Sequence, residues 1–239
     1  MHPVKDLCLA IALSPLLFCA ACASHYLTPG AAAPLAEIAG ASSAITQPPS
    51  PQFPVAIGIV QVQAAGYRSW SASALGSGRY GVLAATPATV KSAEAIAHWP
   101  LIEKAAPIDA ALLPAEFGSF DDLRLAAAKS QADILLVYTL DTAFHAGARV
   151  LAPASDLRLG QAPDGEAYVG AAADARFVDV RTGYVYASAQ GAARMPAPAP
   201  TWASAQTLDQ ARQLAEQQAY AALLQDAEAR WRGVAAQYR

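Results

Sequence analysis

The sequence predicts an α/β protein built on one mixed β-sheet, with α+β as the alternative arrangement, and three stretches carry that expectation. Residues 132–140, Ala-Asp-Ile-Leu-Leu-Val-Tyr-Thr-Leu, are apolar on both faces from Ile134 to Val137, as a central strand must be when both of its faces are covered. Residues 166–180 and 184–193 are rich in Val, Phe, Tyr and Ala and flank Arg181-Thr182-Gly183, which predicts a long hairpin whose turn uses a positive φ at Gly183. Near the C-terminus, Tyr220, Leu224, Ala227, Trp231, Val234 and Tyr238 follow one helical stripe. A long terminal helix lying across the sheet that holds Ile134, Leu136 and Phe177, with one or two others beside it, completes the expected architecture.

The elements follow in order. Residues 7–21 are apolar apart from Ser14, Pro15 and two cysteines and stand behind Lys5. That is short for a membrane span and suits a leader at residues 1–21. Ala20-Ala21-Cys22 resembles the end of a bacterial lipobox, so Cys22 is the expected lipidation site, with Cys19 a poorer one behind bulky Phe18. Residues 22–54 are rich in Ala, Pro, Ser and Gly and predict a flexible tether with a reach of roughly 30 Å, the alternative being an arm packed on the domain with a helical turn at Leu35 and Ile38. A single globular domain is expected over 55–239.

Within that domain, 55–62 is the first strand, and 66–85 is expected to form a glycine-rich hairpin. Pro87 suits the first turn of a short helix through Ile96, closed before Pro100. Residues 101–108 suit an edge strand, where Pro107 is tolerated. Ser119 and Asp122 stand at capping-box spacing and open a helix to Ser130. Residues 143–165 are expected as a long loop, and Pro196 to Pro200 as an extended connector. Thr207 and Gln210 are expected to cap the last helix, which runs to about Ala236.

Composition bounds the function. The chain is 54% hydrophobic, much of it alanine, and its net charge of −3 leaves no basic patch dense enough for nucleic acid. All three cysteines, Cys8, Cys19 and Cys22, precede the domain, so it holds neither a disulfide framework nor a cysteine metal site. His98 and His145 have no partner histidine at ligand spacing. Gly76, Gly78 and Gly81 fit a dinucleotide pattern, but strand-like Val82 to Ala85 follows where a phosphate-binding helix should begin, so a turn explains them. Asp121-Asp122 complements a helix N-terminus, and Asp226 with Glu228 lies along an exposed helical face with Arg230 and Arg232. Asp174 and Arg176 are neighbours on one strand face. No residue is assigned to catalysis, cofactor or metal, and no cofactor is expected.

The leader, the helix feeding Ala132-Asp-Ile-Leu-Leu136 and the run Phe177-Val-Asp-Val-Arg-Thr-Gly-Tyr-Val-Tyr186 resemble bacterial envelope lipoproteins with a TolB-N-terminal-like or curli-secretion-lipoprotein-like α/β domain. In those families an aspartate-containing turn of the type Asp179 to Gly183 precedes a strand with aromatic residues. The resemblance implies a non-enzymatic, periplasm-facing outer-membrane protein, and Ala23 after the cysteine fits outer-membrane sorting. The expected partners are the membrane, through the N-terminal lipid, and an envelope protein, with an oligomer left open. The leading expectation is a tethered binding or scaffolding module. The alternatives are an oligomeric secretion or assembly lipoprotein and a hydrolase with a dispersed site.

Overall fold

A computed structural model describes residues 25–36, 49, 52–151 and 157–238. The expected leader at 1–21, the expected lipidation site Cys22 and expected tether positions 22–24, 37–48, 50 and 51 lie outside the described residues. The elements are β1 (His25–Tyr26), β2 (Val55–Ala64), β3 (Ser77–Gly78), β4 (Tyr80–Leu83), α1 (Pro87–Ile96), β5 (Ile102–Pro107), β6 (Glu116–Phe117), α2 (Phe120–Lys129), β7 (Ile134–Ala146), β8 (Arg149–Leu151), β9 (Leu157–Arg158), β10 (Ala167–Asp179), β11 (Val185–Pro196) and α3 (Ala205–Gln237).

The fold is α/β. One mixed seven-stranded sheet has the order β11-β10-β7-β2-β4, with β5 also on β2 and β8 on β7. β2 pairs parallel to β7 and β5, and the remaining pairings are antiparallel. Two small two-stranded sheets, β1-β9 and β3-β6, stand apart. Ile134 to Val137 are buried on both faces, as their unbroken apolar run requires. Ile134, Leu136 and Tyr138 join Val55, Ile57 and Ile59 under α1 and α3. Leu135 and Val137 join Val60 and Val62 under α2. None of the described helices is long and apolar enough to cross a membrane.

The hairpin forms as expected. Gly183 takes φ +76, and the buried Asp179 carboxylate accepts the backbone N–H groups of Arg181 and Thr182 at 2.9 Å each. Arg124 of α2 fastens this turn, donating from Nε to the Val180 carbonyl at 2.9 Å and from Nη2 to that of Arg181. α1 starts at Pro87 behind Thr86, and α2 starts behind Ser119 with the Asp122 box. β5 is an edge strand that carries Pro107.

Four expectations are corrected. Residues 143–165 are not one loop: β7 continues to Ala146, with Thr142, Phe144 and Ala146 buried and alternating with more exposed positions, and β8 and β9 follow, while 152–156 lie outside the described residues. In 66–85 the expected hairpin shrinks to one antiparallel bridge, Leu75 with Val82, in an irregular segment whose β4 pairs with β2 and whose β3 pairs with distant β6. The last helix starts earlier: Ser204 is its cap and Thr207 closes the box from inside, so Thr207 is not the cap. Finally, residues 25–36 are no flexible tether. Tyr26, Ala33 and Leu35 are buried, β1 pairs with β9, and Ala33 N–H donates to Thr139 Oγ1 at 2.9 Å. These apolar side chains outweigh the surrounding Ala, Pro and Gly; Ile38 lies outside the described residues.

α3 packs on β10 and β11, but its buried line runs through Leu208, Ala215, Ala219, Leu223, Ala227 and Trp231, one position off the expected stripe at Tyr220 and Leu224. Trp231 is fully buried, its ring 5.2 Å from that of Phe177, and Nε1–H donates to the Pro100 carbonyl at 2.8 Å. Truncating it empties a large space and strands that carbonyl. Trp231→Ala should cost about 3–5 kcal/mol, and a thermal melt beside wild type should show the lowered midpoint; an unchanged midpoint would refute this packing.

Candidate functional site

β2 changes character halfway along. Val55 to Val60 are apolar around Gly58, but Gln61 and Gln63 interrupt the run after Val60. From here β2 leaves β7, because their pairing ends at Val60 with Val137, and the N-terminal arm pairs with β2 instead at Ala32 and Gln63. The divergence opens one end of the sheet. Gln63 Oε1 accepts from Thr139 Oγ1 at 2.9 Å, while its Nε2 is buried with no hydrogen-bond partner among the described residues.

On the α3 side this opening is a cleft of about 490 Å³, within the usual range for a small-ligand site. Gln61 and Tyr138 form its floor, the N-terminal turn of α1 and Tyr220 one wall, and Tyr67, Ser71, Arg212 and Glu216 another. The floor is a directed chain of hydrogen bonds. Tyr138 O–H donates to Gln61 Oε1 at 3.1 Å, so the Thr89 hydroxyl, 3.3 Å away, is the donor to Tyr138. Ser92 O–H donates to the Thr89 carbonyl at 2.8 Å, so Tyr220 O–H is the donor in the 2.7 Å contact with Ser92. Burial raises the pKa of Tyr138 and of Tyr220. Burial first, and then the charge of Glu216, push Tyr67 up to about 12. All three phenols therefore remain neutral at physiological pH.

The charged wall comes from α3. Asp209, Arg212 and Glu216 stand at i, i+3 and i+7 on one helical face, and α3 presses this face against the arm and β7. Arg212 Nε donates to Asp209 Oδ1 at 2.7 Å, Nη1 to Glu216 Oε2 at 2.5 Å, and Nη2 to Ser71 Oγ at 2.7 Å. Tyr26 O–H from the arm donates to the same Asp209 oxygen at 2.8 Å, and Thr142 of β7 donates to Glu216 at 2.8 Å. Arg212 and Asp209 are each 4% exposed, so this is a buried network in which each charge has a partner. It joins four segments: the arm, the 67–72 loop, β7 and α3. Burial opposes the Arg212 charge, but Glu216 and Asp209 outweigh it and its pKa rises. Burial alone would raise Asp209, yet the Arg212 hydrogen bond and charge, with Tyr26 and Ser71, bring its carboxyl below the ordinary value of 3.8.

The groups singled out in the sequence have other roles. Asp122 accepts the N–H of Gly118 and Ser119, and Asp121 pairs with Arg124 at 2.6 Å. Asp226 accepts the edge N–H of Gln190 at 3.0 Å and pairs with Arg230, while Glu228 pairs with Arg232. Asp174 accepts from Gln190 Nε2, and Arg176 donates to the Ala175 carbonyl. Gly78 precedes β4, not a helix. His98 bonds to the Glu94 carbonyl, and His145 stacks on Tyr168 at 4.5 Å. Among the described residues no group of three or more His, Cys, Asp or Glu could hold a metal. Cys22 lies outside the described residues. Sequence reasoning missed Gln61, Tyr138, Asp209, Arg212 and Glu216. The signals were the glutamine alternation in β2 and the helical spacing of the three charges.

No family model, curated protein or solved structure matches this chain.

The network makes stability acid-sensitive. A carboxyl whose pKa falls on folding contributes stability that is fully present above its unfolded value and is lost as pH falls through the folded one. For Asp209 that loss begins below about 3.8. Denaturation followed from pH 6 down to 2 should show a shallower acid limb for Asp209→Asn than for wild type; superimposable slopes would count against the network.

Proposed function

We propose that this chain is a non-catalytic envelope lipoprotein, anchored to the outer membrane through a lipid on Cys22 and facing the periplasm, whose domain is a binding module. The address is supported by the apolar leader, by Ala20-Ala21-Cys22 and by Ala23 behind the cysteine. The resemblance of the 132–136 and 177–186 runs to TolB-N-terminal-like and curli-secretion-lipoprotein-like domains points the same way.

The observation that carries the binding reading is the cleft between α1, β2, β7 and α3. Its ionised groups already satisfy one another, and its neutral phenols, amides and hydroxyls line a concave surface that also offers Leu83, Pro87 and Leu140. Such a lining holds a ligand by shape, stacking and neutral hydrogen bonds. A partner's side chain or a small polar molecule fits it equally.

Two measurements test the two halves. Metabolic labelling with a fatty acid should mark wild type and not Cys22→Ser; equal labelling of both would sink the anchor. For the cleft, a photo-crosslinking amino acid placed in cells at exposed Gln217 should give a discrete adduct that the same group at Leu125, 58% exposed on α2, does not give. Leu83→Arg, which fills the cleft, should abolish that adduct. Equal adducts from both positions, or an adduct indifferent to Leu83→Arg, would overturn the cleft as the binding site.

A further inference from the structure

The arm and the loop beside it expose one continuous face. Along 25–27, Tyr26 points inward and is fully buried, so His25 and Leu27 point outward, and Leu27 is 40% exposed. The 67–70 segment repeats this alternation: Tyr67 and Ser69 are buried, Arg68 and Trp70 are exposed, and Trp70 is 51% exposed. The two segments are joined by the Gly30 N–H, which donates to the Arg68 carbonyl at 2.9 Å, and by the Tyr26 and Trp70 rings, 6.1 Å apart. On the other side of the arm, exposed Arg158 of β9 is the register partner of His25. The result is a tryptophan and a leucine flanked by two arginines.

Chain length says what lies opposite. Cys22 is four residues before Tyr26, and four residues span at most about 14 Å when fully extended. Tyr26 is fixed to the fold through Asp209 and through β9. A lipid on Cys22 therefore holds Tyr26, and with it the arm and the loop that flanks it, within about that distance of the headgroups. Tryptophan favours the membrane–water interface, and arginines next to it attract anionic phospholipid.

We infer that the face formed by Leu27, Arg68, Trp70 and Arg158 rests on the phospholipid leaflet in which the chain is anchored. The domain is seated on the membrane and does not swing at the end of a tether. This rests on the anchor reading above. With the arm docked, the cleft wall at Ser71 adjoins the lipid-facing loop.

The test uses the lipidated full chain in vesicles of phosphatidylethanolamine and phosphatidylglycerol, with or without bromine on the acyl chains near the headgroup. Trp99, Trp202 and Trp231 are 8%, 2% and 0% exposed, so quenching by brominated lipid reports chiefly on Trp70. Wild-type emission should drop in the brominated vesicles, and Trp70→Phe should lose most of that drop while keeping its melting midpoint. Arg68→Glu with Arg158→Glu should weaken the quenching as phosphatidylglycerol is raised. Mass measurement of the purified chain keeps the readings apart. A chain without fatty acid overturns the anchor, and the seating with it. A chain that carries fatty acid on Cys22 yet gives equal emission in both vesicle types overturns the seating alone, as does quenching undiminished in Trp70→Phe.

Discussion

The architecture depends on how closely α3 lies on β11. At Gly191 a Cβ would sit 2.2 Å from Leu223 N and 2.3 Å from the Ala219 carbonyl oxygen, so helix backbone meets strand backbone with no side chain between them. Ala189 on β11 and Ala215, Ala219 and Ala227 on α3 continue the same flat contact. The abundant alanine of this chain is thus not a weak substitute for larger apolar residues: it sets the spacing. Once the helix is down, its two ends do different work. Trp231 fills the space over Phe177 at one, and Asp209, Arg212 and Glu216 meet the arm and β7 at the other.

The opposite face is held differently. α2 is only ten residues long, and its grip comes from Phe120, Leu123, Ala126 and Ala127 against Leu135 and Val137. Arg124 then reaches past this contact to the carbonyls of the hairpin turn. Asp179 organises that turn from the inside, accepting two backbone N–H groups and the Tyr186 hydroxyl. The hairpin is fixed along its length by α3 and at its tip by α2, so its register has two independent restraints.

Much of this was legible in the sequence because local pattern and tertiary setting agree there. The unbroken run Ile134 to Val137, the hairpin about Gly183, Pro87 at a helix start and Ser119 with Asp122 each have one good local solution. Where two solutions compete, the sequence is silent. Ser204 with Thr207 and Thr207 with Gln210 have the same spacing, and only the extended backbone at Ser204 selects the first. Asp141, Thr142 and His145 break the apolar run of β7 and suggest a loop, yet the alternation that buries Thr142, Phe144 and Ala146 is strand-like once β10 is beside it. The cleft was hidden for a related reason. Charges at i, i+3 and i+7 on a helix usually face water, and nothing local tells that Tyr26 and Thr142 will close over them.

The bond between Tyr26 and Asp209 joins positions 183 residues apart, near the start of the chain and within its last element. A ribosome makes the arm first and its docking site almost last. Until α3 exists and has settled on the hairpin, the Tyr26 hydroxyl has no Asp209 to meet, and only β9, Phe144 and Trp70 remain to hold that residue. Completion of the last helix is then what locks the first described strand, so the two ends of the described chain close on each other in the final act of synthesis.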